Sequence, residues 1–104
     1  MQYDVYPNPS PRMKDIYPFV VDVQSDLLGG LPTRLVMPLS VPQLPATKVP
    51  GKLCPTISVL GKKFALMSFQ AAPLDKKLLK KKSDSAKAQA SEIIAALDAV
   101  VSGV

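Results

Sequence analysis

Two carboxylates, Asp22 and Asp26, stand four residues apart within "YPFVVDVQSDLL", residues 17–28. Paired carboxylates are the residue type of general acid–base catalysis, but no second catalytic group accompanies this pair. Both are therefore read as held by local backbone or by Arg34. Histidine is absent from the chain. Its absence removes the usual general base near neutral pH, the Ser/His and Cys/His nucleophile pairs and the commonest metal ligand. Cys54 is the single cysteine, so it can form neither an intrachain disulfide nor a thiolate metal cluster, and it is read as a small buried apolar side chain. No glycine loop of the phosphate-cradling kind occurs. Catalysis has little support, and neither metal nor cofactor is expected.

Charge is the next signal. The net charge of +5 is uneven: residues 1–60 hold five basic and four acidic side chains, residues 61–104 eight and four. Most of the excess lies in "KKLLKKK", Lys76 to Lys82. A basic surface can meet nucleic acid, an anionic membrane or an acidic protein. Stacking aromatics would favour nucleic acid, yet none of the six aromatic residues lies in the run or after Phe69. The run is read as a solvated face that serves solubility or a partner.

The remaining candidates are apolar. Phe19, Val21 and Val23 alternate with Val20, Asp22 and Gln24, as in a strand with one buried and one part-polar face. Leu27 and Leu28 then follow side by side before Gly29-Gly30. In an extended chain one of two adjacent leucines must point outward. Near the other end Val100, Val101 and Val104 cannot share one narrow stripe, which leaves Val101 a candidate for exposure. Burial of all of them in a dimer interface is the alternative.

These residues need elements to position them. Nine of the eleven prolines fall between Pro7 and Pro50, so the first half should be short strands joined by stiff loops. Strands are expected over 1–6, from residue 17 onward, and over 33–40, where Pro38 implies an edge or a bulge. A loop is expected over 7–15 and a long connection over 41–53. "CPTISVL" and "KFALMSFQ" flank "GKK" as a hairpin turning at Gly61. Residues 72–82 fit strand or helix and are taken as strand. From Ala86 the positions Ala90, Ile93, Leu97, Val100 and Val104 form one helical stripe, capped by Ser83, Asp84 or Ser85 and ended by Gly103. At 104 residues this is one domain, small enough to favour a homodimer. Its apolar runs are too short to span a bilayer and its first residues lack the order of an export signal, so it is expected to be cytoplasmic.

"MQYDVY", "YPFVVDVQSDLL", "TRLVMPLS", "LCPTI" and the ending "IIAALDAVVSGV" resemble, in order and spacing, the CcdB family of toxins. The resemblance covers nearly the whole chain, 1–104, and is weakest over "PNPSPRMKD" and residues 71–83. It implies a mainly β fold with a C-terminal α-helix, a small SH3-like barrel of the CcdB/MazF type, assembled as a homodimer. It further implies the toxin of a type II toxin–antitoxin system that binds the A subunit of DNA gyrase and traps the enzyme on cleaved DNA without catalysing a reaction. A CcdA-like antitoxin would neutralise it, and DNA would be met only through that antitoxin complex, the usual arrangement for transcriptional autoregulation. The gyrase-binding residues carried over are Leu27, Leu28, Asp98, Val101, Ser102, Gly103 and Val104. The basic surface, with the loops before Tyr17 and after Ser40, is the expected ground for an acidic antitoxin segment. In one respect the chain departs from the best-known members: they end in Trp-Gly-Ile, where this sequence has Ser102-Gly103-Val104. An interfacial Trp anchor is often worth about 2–4 kcal/mol. A MazF-like endoribonuclease using Arg12 or Arg34, or a non-toxic homologue that only binds antitoxin, are the alternatives.

Overall fold

The computed structural model describes residues 1–41 and 54–102. The expected connection over 41–53 therefore lies, beyond Val41, outside the described residues. Among the described residues seven strands precede one α-helix: β1 (Asp4–Pro7), β2 (Phe19–Asp22), β3 (Thr33–Ser40), β4 (Thr56–Val59), β5 (Lys62–Leu66), β6 (Ala72–Asp75), β7 (Asp84–Ser85) and α1 (Ala90–Ser102). All pairings are antiparallel, in the order β4-β5-β3-β2-β1-β7 with β6 also on β3. The result is a mainly β, nearly closed barrel with a C-terminal helix.

Strand register explains the core. Val5, Val21 and Met37 are aligned across β1, β2 and β3, and Phe19, Leu39 and Leu66 across β2, β3 and β5. Except for half-buried Phe19, these side chains are fully buried, joined by Ile57 and Val59 from the hairpin and by Ile93 and Ala96 from α1. Phe19 and Phe64 meet edge to face at 5.3 Å, a geometry the ring quadrupoles favour.

Several elements differ from the sequence reading. β1 begins at Asp4 because Tyr3 takes a left-handed φ of 71°, which a strand cannot continue. β3 is central, although Pro38 suggested an edge or a bulge. It pairs with β6 through Val36 and with β5 from Leu39, and the carbonyl of Pro38 accepts from the N–H of Met67 on that same side. Pro38 thus places its missing donor at the gap between two partner strands, where no ladder bond is lost. The ambiguous segment divides into β6 and a 3-10 turn over Lys76–Leu78, capped by the Asp75 carboxylate on the N–H of Lys77. The helix starts later than Ala86, after a 3-10 turn over Lys87–Gln89 whose N-cap is Ala86 with no side-chain cap, so none of Ser83, Asp84 and Ser85 is the cap residue. Ser85 Oγ accepts from the N–H of Lys87, one residue further in. Its inner face is Ile93 and Ala96, while Val100, placed in the stripe by its spacing, is exposed. Gly103, the expected helix stop, lies outside the described residues.

The barrel closes through side chains. Thr56, Ser58 and Leu60 turn their backbone groups away from β5. The Gln89 amide accepts from the N–H of Ser58 at 2.9 Å and donates to the carbonyl of Thr56 at 2.7 Å. Asp84 on β7 accepts from the N–H of Leu60 at 2.8 Å. Gln89 thereby imitates a neighbouring peptide unit, and the edge of β4 is occupied instead of open to another chain.

Two outcomes follow for the hairpin and this seam. Leu60 and Gly61 both take positive φ, 53° and 80°, the requirement of a type I′ turn, and a leucine there carries strain of about 1 kcal/mol. Leu60→Asn should raise the thermal midpoint by several degrees, a shift of about 0.5–1 kcal/mol, read by calorimetry. The backbone N–H groups of Leu60 and Ser85 hold the Asp84 carboxyl below its ordinary value of 3.8. Its contribution is present above that value and is lost as pH falls through the lower folded-state value. Asp84→Asn should flatten the acid limb of the stability curve, and an unchanged limb would count against the seam.

Candidate interaction surface

β2 ends at a carboxylate that cannot reach water. Asp22 is 1% exposed and Arg34 on β3 is 6% exposed, and the Arg34 Nε donates to Asp22 Oδ2 at 2.7 Å. The guanidinium also donates to the Gln24 carbonyl at 3.2 Å and lies 3.5 Å from Asp26 Oδ1. The hydrogen bond to Asp22 raises the Arg34 pKa further above its ordinary value, against the opposing effect of burial. The part-polar strand face expected from the 17–28 pattern is thus itself buried, because Arg34 and Gln24 satisfy it.

Gln24 links this pair to the leucines. Its side-chain oxygen accepts from the N–H of Leu35 at 3.0 Å and its amide donates to the carbonyl of Leu28 at 3.1 Å. Asp22 Oδ1 in turn accepts from the N–H of Gln24. From the other side, the N–H of Gln2 donates to Asp26 Oδ1 and its side-chain amide to the carbonyl of Val23. Asp26–Leu28 is a 3-10 turn whose N-cap is Ser25, with Oγ accepting from the N–H of Leu27. A rigidly tied backbone therefore holds out Leu27, 95% exposed, and Leu28, 50% exposed. Sequence reading anticipated the ties of Asp22 and Asp26 to Arg34 and to backbone, but it missed Gln24 and Gln2. The polar position of Gln24 in the strand period was the one local sign.

On α1, Asp98 and Val101 are exposed, Val101 at 79%. Ser102 is exposed as well, its Oγ donating to the carbonyl of Asp98 at 2.6 Å. Gly103 and Val104 lie outside the described residues. α1 rests mainly on the 3-10 turn Ser68–Gln70, whereas the leucine turn rests on Gln2, Gln24 and Arg34. Within one copy the two groups of candidate residues thus have separate supports.

Other candidates resolve into structural roles. Beside the Asp22–Arg34 pair lies a cleft of about 190 Å³, lined also by Met1, Tyr6, Gly29, Lys76 and Leu79. Burial, and then the charges of Asp4 and Asp22, push the Tyr6 phenol above its ordinary pKa. Burial likewise pushes up the Cys54 thiol, whose sulfur lies 4.0 Å from that of Met67. The lysine run is exposed, with Lys82 3.6 Å from Asp4. Among the described residues no cluster of three or more His, Cys, Asp or Glu could hold a metal, and no helix is long and apolar enough to cross a membrane.

The fold and this surface define a class: a nearly closed β-barrel with one terminal helix and a leucine turn held out at the end of its sheet. A family model described as CcdB protein matches residues 2–103, and the chain belongs to the CcdB family. No curated protein matches the chain. Membership suggests the toxin of a toxin–antitoxin system, a family whose partners are in general an antitoxin and gyrase.

If the turn depends on the buried pair, Arg34→Met should destabilise the protein by about 3–5 kcal/mol in denaturant unfolding, because Asp22 is left charged and buried. Adding Asp22→Asn should cost less than the sum of the two single changes, since both break the same contact.

Proposed function

We propose that the chain is a non-enzymatic, homodimeric toxin that binds the A subunit of DNA gyrase, traps the cleaved DNA complex and is neutralised by a CcdA-like antitoxin. The observation that supports this most is Leu27, a large apolar side chain almost wholly in solvent on a turn fixed by buried polar groups. Single exposed leucines are common on surfaces. One held by a buried network, with Leu28 beside it, is better explained by a partner. Val101, Asp98 and Ser102 on α1 are proposed as the second part of the site, together with Gly103 and Val104, which lie outside the described residues. Two copies would present these groups twice. The ribonuclease alternative would use Arg12 or Arg34, but the Arg34 guanidinium is spent on Asp22, Gln24 and Asp26.

Purified protein with gyrase and plasmid DNA should accumulate cleaved DNA. Leu27→Ala with Leu28→Ala should demand at least about tenfold more protein for the same cleavage, the loss of roughly 1.4 kcal/mol or more expected of interface anchors. Deleting residues 102–104 should abolish cleavage while thermal unfolding and antitoxin binding stay near wild type. Cleavage unaffected by both changes would refute the site. Fragmented cellular RNA without cleaved DNA would refute the class of action.

A further inference from the structure

The leucine turn does not stand alone at its end of the barrel. After Gly29-Gly30 the chain passes through Leu31, 46% exposed, and Pro32 into β3. β3 pairs there with the end of β6, Thr33 facing Asp75, and the carbonyl of Pro32 accepts from the N–H of Lys76 at 3.0 Å. The turn Lys76–Leu78 is thereby fastened beside the leucine turn, and Gly29, Lys76 and Leu79 line one cleft. That second turn adds Leu78, 47% exposed. Lys76, Lys77 and Lys80 are exposed and form no ion pair with any described residue, in contrast to Lys82, which is held by Asp4. Leucines flanked by unpaired ammonium groups are matched by an apolar pocket with a carboxylate rim.

We infer that Leu27, Leu31 and Leu78, flanked by Lys76, Lys77 and Lys80, dock on an acidic surface of the target protein, so that the lysines steer association and the leucines hold the complex. This rests on the function proposed above and extends it, naming the second turn and the charge of the surface it meets. Because that turn is fastened beside the leucine turn, it assigns Lys76, Lys77 and Lys80 to the gyrase face and not to the antitoxin ground expected from the sequence. Stacking aromatics are absent from the lysine segment, which disfavours single-stranded nucleic acid as the occupant.

The test measures association and dissociation rates of the intact protein on immobilised gyrase at low and high salt. Lys76→Glu, Lys77→Glu and Lys80→Glu together should slow association about tenfold or more at low salt, with a smaller effect at high salt. A control with equal charge change, Lys62→Glu, Lys63→Glu and Lys87→Glu, should slow it much less. Leu78→Ala should hasten dissociation and leave association near wild type. Should the triple reversal fail to fold, the same three positions as Gln give the same readout with half the charge change. Equal slowing by patch and control would overturn the inference, because net charge alone would then act. It would also fall if patch reversal spared gyrase and weakened only antitoxin binding. Leu27→Ala separates the two layers: weakened binding with an unaffected lysine variant removes this inference alone. Binding to gyrase that none of the variants changes removes the proposed site as well.

Discussion

Asp22 and Arg34 form the contact on which the exposed end of this barrel depends. The pair is buried on neighbouring strands, with 2.7 Å between Nε and Oδ2, and it does not by itself make a fold stable. Two desolvated charges roughly balance their attraction against the water they give up. Their effect is positional. With the guanidinium also on the Gln24 carbonyl and near Asp26, and Gln24 on both Leu28 and Leu35, three successive backbone segments have one arrangement that leaves no buried polar group unsatisfied. No buried side-chain polar atom among the described residues is without a partner. A shift of the 22–28 backbone that broke these bonds while keeping the groups buried would orphan a donor or a carboxylate, at about 1–3 kcal/mol each.

The same principle closes the sheet. A barrel of short strands with a two-residue β7 cannot complete its ladder with backbone alone, so Gln89 and Asp84 take up the outward groups of β4. An amide side chain carries the donor and acceptor of a peptide unit, so the substitution is chemically close. It also blocks strand addition at an edge that would otherwise template aggregation.

Much of this architecture was legible because its determinants are local. β3 occupies 33–40, as its composition indicated, and the hairpin turns at Leu60-Gly61, where the glycine marked it. The Asp22–Arg34 tie was readable because a carboxylate in a strand interior needs a partner. Gln89 was not, since it answers Ser58 and Thr56 from 31 and 33 residues away and nothing near Gln89 indicates which edge it will meet. Gln24 was hidden for a similar reason: at its own position it is only the polar half of an alternation. The helix stripe misplaced Val100 because spacing fixes which residues share a face and not how far along the helix its support reaches. α1 packs on the Ser68–Gln70 turn, with Ile93 and Ala96 buried in the core and Val101 left in solvent.

Rigidity bears directly on how a surface without tryptophan could bind. Burying one leucine is worth about 1.5–3 kcal/mol, comparable to the about 2–4 kcal/mol of an aromatic anchor. That gain survives only where the backbone behind it is already ordered, because fixing a free residue costs about 1–2 kcal/mol at the moment of binding. Leu27 sits on a turn closed by Ser25, Gln2, Gln24 and Arg34, so the ordering cost was met during folding. A leucine so placed can substitute for a larger anchor that brings its own ordering cost. On the proposed function, the buried ion pair would in this way be part of the affinity of the surface it supports.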